Sequence, residues 1–137
     1  MNKHLKRNIA ALLPYYKKDG TLYFFLQLRD ENAPSNPNVY GFFGGGIEDG
    51  ETPETGMYRE IEEELEYKPV RPRHIFSYKE SGRDWHQFIE EVTENFADRV
   101  IVHEGKGGLF LSVEDILSSD LSPEKLKERI RMVIKKL

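Results

Sequence analysis

No cysteine occurs among the 137 residues, and that absence removes disulfides, thiol nucleophiles and cysteine-ligated zinc together. Long apolar runs are missing too: nothing approaches the roughly 20 residues of a membrane-spanning helix. The start, "MNKHLKRNIAALLP", places basic residues before apolar ones as a signal peptide does. Its unbroken apolar run is only Ile9 to Leu13, too short for the core of such a signal, so it reads as a first strand of a cytoplasmic protein. There is no basic surplus. A net charge of −4 argues against a nucleic-acid-coating role, which needs a basic face. No repeat, low-complexity tract or linker divides the sequence, so residues 1–137 are expected to form one domain with a core of its own.

What is present in excess is glutamate, concentrated in one stretch. "REIEEELE", Arg59 to Glu66, holds five glutamates, and several pairs stand three or four residues apart. Such like-charge pairs destabilise an isolated helix by about 0.2–0.5 kcal/mol each. From Glu48 to Glu66 nine acidic residues face one basic residue, Arg59. Anionic substrates approach such a surface only with divalent cations between.

The surrounding pattern places this stretch on a helix. Thr52 offers an N-cap oxygen and Pro53 suits the first helical position. Met57, Ile61 and Leu65 then recur at helical spacing, and the helix is expected to end near Glu66, ahead of Pro69. Before it come two β-prone runs, Arg7 to Tyr16 and Thr21 to Leu28, joined by the turn "KKDG". A proline- and asparagine-rich loop, Arg29 to Asn38, and a short aromatic strand, "VYGFF", follow. After the helix, "RHIFSYK", "WHQFIEEV", "RVIVHE" and "GLFLS" read as strands. A short helix near Val113 to Leu117 and a longer one from Ser122–Pro123 close the chain. Strands around one central helix, with helices at the end, predict a mixed α/β or α+β sandwich.

On the helix, Glu60, Glu63 and Glu64 share a face while Glu62 points elsewhere. Three carboxylates at one rim form a hard oxygen site suited to magnesium or manganese. The glycines of "GGGIEDGE" let backbone carbonyls approach closely. By composition alone such a helix is an ordinary solvated face; the spacing argues otherwise. Gly45, five residues, Glu51, seven residues and Arg59-Glu60-Ile61-Glu62-Glu63-Glu64-Leu65-Glu66-Tyr67 resemble the Nudix box, G-x5-E-x7-R-E-U-x-E-E-x-G-U. Eight of nine specified positions match; the exception is Glu66, where the family has glycine.

The resemblance implies an α/β fold, a Nudix-like α/β/α sandwich with a mixed sheet. It also implies a hydrolase of phosphoric anhydride bonds acting on a nucleoside diphosphate linked to a group X. Mg2+, with Mn2+ as alternative, would be held by Glu60, Glu63, Glu64 and the backbone carbonyl of Gly44. Arg59 and Glu51 would pair to brace the loop against the helix and orient Glu60. "EGKGGLFLS" resembles a late segment of MutT-like members, with Phe110 in a tryptophan's place. It makes Glu104 a further metal ligand or the base, with an ordinary loop carboxylate as the alternative. Arg29 stands where MutT-like proteins contact substrate phosphate; a solvated strand-end arginine is the alternative. Lys125 falls near the position where an asparagine reads oxidised guanine in MutT, which does not support that specificity.

A MutT-like nucleoside triphosphate reaction is the first expectation for the substrate. The alternatives are a nucleotide sugar, a dinucleotide, or a non-catalytic nucleotide-sensing module. The partner is thus a small nucleotide-like diphosphate, and the oligomeric state is left open, a homodimer included. His74, His86 and His103 read as strand or edge residues, without the spacing of a zinc site. Trp85, His86, Phe42 and Phe43 border either a base-stacking pocket or, more simply, a packed hairpin.

Overall fold

The computed structural model describes residues 7–33 and 37–137. Residues 1–6, with the first basic residues of the start, and residues 34–36, in the middle of the proline-rich loop, lie outside the described residues. In chain order the elements are β1 (Ile9–Lys18), β2 (Thr21–Leu28), β3 (Tyr40–Gly41), β4 (Phe43–Gly46), α1 (Pro53–Leu65), β5 (Arg73–Glu80) and β6 (Arg83–Glu91). They continue as α2 (Phe96–Arg99), β7 (Gly108–Ser112), α3 (Val113–Ser118) and α4 (Glu124–Lys136).

All seven strands belong to one mixed sheet. β1 lies parallel to β6, from Ile9 opposite Trp85 to Tyr15 opposite Glu91. On its other edge it is shared, pairing β4 through Ile9–Leu12 and β2 through Tyr15–Lys18, both antiparallel. Between the two pairings stands Pro14, which has no N–H to give to a ladder. β2 carries β7 and β3, and β5 closes the far edge against β6.

The period-two alternation of the strands sorts side chains into two cores. Ala10, Leu12, Phe25 and Phe88 face α1, where Met57, Ile61 and Leu65 supply the helical stripe. Leu13, Phe24, Leu26 and Ile89 face α3 and α4, meeting Ile116, Leu126, Ile130 and Val133. The result is the α/β/α sandwich expected from the sequence. Burying nine side chains in the first core and eight in the second, at about 1.5–3 kcal/mol for each of the large ones, is the main force holding the layers together.

One expected strand is absent. "RVIVHE" forms the end of α2 and then an irregular segment, not a strand. Its alternation is real, because Val100 and Val102 pack on the core while Ile101 is exposed. Its hydrogen bonds, however, go to a helix: Ile101 N–H donates to the Leu65 carbonyl (3.0 Å) and His103 N–H to that of Glu64 (2.8 Å). The segment satisfies C-terminal carbonyls of α1 that have no partner within the helix. His103 is therefore a loop residue, whereas His74 and His86 lie in β5 and β6 as expected.

Candidate functional site

α1 starts as its sequence dictates. The Thr52 hydroxyl accepts the Thr55 N–H (3.1 Å), the Thr55 hydroxyl accepts the Thr52 N–H (2.9 Å), and Pro53 occupies the first turn. The helix ends at Glu66, which adopts the left-handed conformation (φ 50, ψ 44) usually left to glycine. The helix thus ends where the sequence predicts, with Glu66 carrying the strain of that backbone conformation.

Arg59 organises the loop ahead of the helix. Its Nε and Nη2 donate to the two Glu51 carboxylate oxygens (2.7 and 3.0 Å) and Nη2 also to the Gly46 carbonyl (2.8 Å). Nη1 reaches Glu60 (2.9 Å) and, more weakly, Glu63 (3.5 Å). A bidentate guanidinium–carboxylate pair is strong and directional. The Arg59 contact, followed by the Glu48 N–H bond, pulls the Glu51 carboxyl down to about 2. The Glu51 hydrogen bonds, aided by Glu60 and opposed by partial burial, raise Arg59 above its already high ordinary value.

Glu60 and Glu64 turn inward to the glycine strand. A Cβ at Gly45 would stand 2.3 Å from a Glu60 carboxylate oxygen, so only glycine lets that carboxylate lie on the strand. Gly44 is needed twice: its φ is +144, and a Cβ there would meet the Ala10 carbonyl at 2.3 Å. The Gly44 N–H donates to Glu64 Oε1 (2.9 Å). Glu64 is only 5% exposed. Burial first, then the hydrogen-bonding Glu104 carboxyl and the charge of Glu60, push its pKa far above the ordinary carboxylate range, against the Gly44 bond. Such a group favours a proton or a cation beside it.

The structure thus brings Glu60, Glu64, Glu104, Gly44 and Gly45 together. It does not bring Glu63 in: that side chain is mostly exposed and faces Arg59. Among the described residues no group of three or more His, Asp or Glu side chains is arranged to hold a metal ion. The donor chemistry still fits a hard divalent cation. A buried carboxylate, two carboxylate neighbours and a glycine backbone offer oxygen ligands, and a cation there offsets both the burial and the neighbouring carboxylates that raise Glu64.

On the other face of the same glycine strand lies a cleft of about 440 Å³, within the range of small-molecule sites. Gly44, Gly45, Phe42, Tyr78 and Trp85 are among the residues that line it. Tyr78 and Trp85 stack at 5.9 Å with 18° between planes, and Phe42 meets Trp85 edge-on at 6.2 Å. Of the aromatics singled out in the sequence, Phe42, Phe43 and Trp85 line the cleft, Phe42 and Trp85 packing on one another, whereas His86 is not in its lining. Arg29 also lines it, just beyond β2, with its N–H bonded to the Val39 carbonyl (2.9 Å). The sequence did not single out Tyr78, Glu80 or Arg129, which also line it. The available signals were Tyr78, Glu80 and Trp85 flanking one hairpin turn and Lys125 with Arg129 at i, i+4.

A family model described as NUDIX domain matches residues 6–134. No curated protein matches the sequence. Among solved structures, one from an analysis of MutT from Aliivibrio salmonicida and Vibrio cholerae aligns with a TM-score of 0.75 and 21% identity, covering 96% of this chain and 100% of that one. The NUDIX domain of Shewanella oneidensis NrtR, complexed with ADP ribose, gives 0.70 and 15%, covering 94% and 88%. A C. elegans Ap4A hydrolase in a binary complex gives 0.67 and 17%, covering 95% and 96%. At such identities the likeness is one of fold.

Proposed function

The chain belongs to the NUDIX domain family of pyrophosphate-bond hydrolases, and on that premise we propose that it is a divalent-metal-dependent enzyme, a single domain acting in the cytoplasm, that cleaves a nucleoside diphosphate linked to a further group. One observation carries this reading. The Gly44–Gly45 backbone touches the acidic cluster on one side, through Glu64 and Glu60, and lines the aromatic cleft on the other. A substrate whose planar part lies in the cleft therefore extends its diphosphate towards the carboxylates.

Glu60, Glu63, Glu64 and the Gly44 carbonyl would hold Mg2+ or Mn2+, with Glu63 released from Arg59. A divalent cation, when bound, neutralises the diphosphate, polarises phosphorus and makes a nearby water more acidic. The protein's own groups do the rest. Glu104 accepts the water's proton on a carboxylate oxygen or adds a ligand. Arg29 contacts a phosphate oxygen. Arg59, held by Glu51, keeps Glu60 aimed at the strand. Phe42, Tyr78 and Trp85 exclude water and orient the planar moiety.

A nucleoside triphosphate, a nucleotide sugar and a dinucleotide all meet this description; among the compared proteins, the NrtR domain is complexed with ADP ribose and the C. elegans protein is an Ap4A hydrolase. The test is release of phosphate or pyrophosphate from a panel of such compounds with magnesium. Turnover by the wild type and its loss in Glu64→Gln are expected. Tight binding of a nucleotide with no turnover of any compound would overturn the enzymatic reading in favour of a sensor.

A further inference from the structure

Next to Trp85 on β6 stands a buried amide. Gln87 has no exposed surface and lies between Trp85 and Ile89 at strand spacing, so all three side chains share the cleft face of the sheet. Its backbone neighbours on the adjoining strands are Ala11 and Phe76. The indole Nε1–H of Trp85 donates to Gln87 Oε1 (3.1 Å), and Gln87 Nε2 donates to the Phe88 carbonyl (3.0 Å). An indole N–H only donates and a carbonyl only accepts, so both ends of the amide are fixed.

Both of these side-chain bonds stay inside β6. The amide therefore joins no two elements of the fold, as a strut would. The core does not need it either, since burying an amide costs free energy that a leucine of similar size does not. What the amide holds is one ring. Trp85 stacks on Tyr78, meets Phe42 edge-on and lines the cleft. In another rotamer the indole would carry Nε1 away from Gln87 Oε1, so the bond selects one orientation of the ring.

Resting on the reading that this cleft receives the planar part of the substrate, we propose that Gln87 is a positioning residue for binding. Being fully buried, it does not touch the ligand; it sets the orientation of Trp85, so that the aromatic wall is formed before the ligand arrives. A side chain already ordered loses less entropy when a planar group stacks on it. For one ring, partly held by Tyr78 and Phe42 as well, the saving corresponds to about threefold in affinity. A packing role predicts something else. Loss of packing would weaken the fold and would act on binding alike whichever aromatic stands at position 85, whereas loss of positioning acts only through the indole N–H.

The experiment uses the full chain in two ways. Labelled with fluorotryptophan it gives a single fluorine signal, because Trp85 is the only tryptophan; unlabelled, it is titrated calorimetrically with ADP, GDP and UDP in the presence of magnesium. Gln87→Leu is expected to broaden or split the fluorine line, to leave the melting point unchanged or raise it, and to weaken the tightest of the three nucleotides about threefold. In a Trp85→Phe background the same change should leave affinity unaltered, since the N–H it serves is gone. Gln87→Glu at about pH 5, where burial keeps the acid neutral with one acceptor and one donor as in the amide, should restore the single line and the affinity. An undisturbed fluorine line in Gln87→Leu, an unchanged affinity, or an equal loss in both backgrounds would overturn the positioning role. Failure of the wild type to bind any of the three nucleotides would overturn the reading of the cleft and the role with it. Binding with the expected pattern but no hydrolysis of any compound would overturn the hydrolase reading alone.

Discussion

His103 Nε2 is hydrogen-bonded to Glu66 Oε2, joining the residue before Glu104 to the residue two beyond Glu64. Together with the backbone bonds from Ile101 and His103 to the end of α1, it stitches the loop to the helix. On its far side the loop is held to β2, by Lys106 N–H on the Leu28 carbonyl (2.7 Å) and Leu28 N–H on that of Gly107 (3.0 Å). Glu104 is thus suspended between two anchors and delivered to Glu64. The place where the box departs from its family pattern has acquired a second use.

That use has a conformational cost. A non-glycine residue in the left-handed region loses about 1–2 kcal/mol, whereas an exposed side-chain contact such as His103–Glu66 returns only about 0–1 kcal/mol. Glu66→Gly is therefore expected to raise the urea midpoint with an unchanged slope, and His103→Ala to move stability by less than about 1 kcal/mol. A lower midpoint in Glu66→Gly would show that the loop contact outweighs the strain.

Divalent ions should stabilise the wild type by mass action, by about 2.7 kcal/mol at a hundredfold excess over Kd. Glu64→Gln keeps the shape and removes the charge, so it should lose most of this gain. Turnover should fall by at least the roughly 10–100-fold that follows loss of a supporting group around a metal. Its metal-free melting point should rise, because a buried carboxyl crowded by Glu104 and Glu60 is replaced by a neutral amide. Wild-type turnover in Glu64→Gln at saturating magnesium would remove Glu64 from the site.

Much of this was readable in the sequence because local rules and tertiary structure agree. Thr52 and Pro53 start α1 where capping chemistry says, and the turn residues Asp19–Gly20 and Ser81–Gly82 close both hairpins with positive φ. The box spacing located Glu51, Arg59, Glu60 and Glu64. What failed was partner choice. Val100 to Val102 have the alternation of a strand, but no strand edge is paired with them, and a helix end takes their bonds. Nor does periodicity say that Glu63 turns to Arg59, because that depends on where the guanidinium lies. The α4 side of the cleft was hidden for the same reason: Tyr78, Glu80, Lys125 and Arg129 meet only when the hairpin and the last helix pack.

The Glu51–Arg59 pair gives a pH signature. The Glu51 carboxyl ordinarily titrates near 4.5 and here is held down to about 2. A depressed acid binds its proton less readily folded than unfolded. Its contribution is therefore complete above about pH 4.5 and is lost as the pH falls towards 2. Glu51→Gln should melt lower than wild type at neutral pH, with the gap closing over that interval. A gap of constant size from about pH 7 to about pH 2.5 would mean that the carboxylate charge contributes nothing.

Trp85 is the only tryptophan in the chain, and it lies in the wall of the cleft, so occupancy can be followed by its emission. A planar moiety entering the cleft comes close to this indole, because Trp85 lines it together with Tyr78 and Phe42. Nucleotide binding should quench its emission saturably, in Glu64→Gln as in wild type, since the variant alters only the acidic side. Trp85→Ala should weaken binding by about 1–3 kcal/mol, the usual worth of one base stacked on one aromatic ring. Trp85→Phe should recover most of that loss, which separates stacking from the indole N–H bond to Gln87 (3.1 Å). Emission unchanged at saturating nucleotide, in a protein that still turns over, would place the planar moiety outside this cleft.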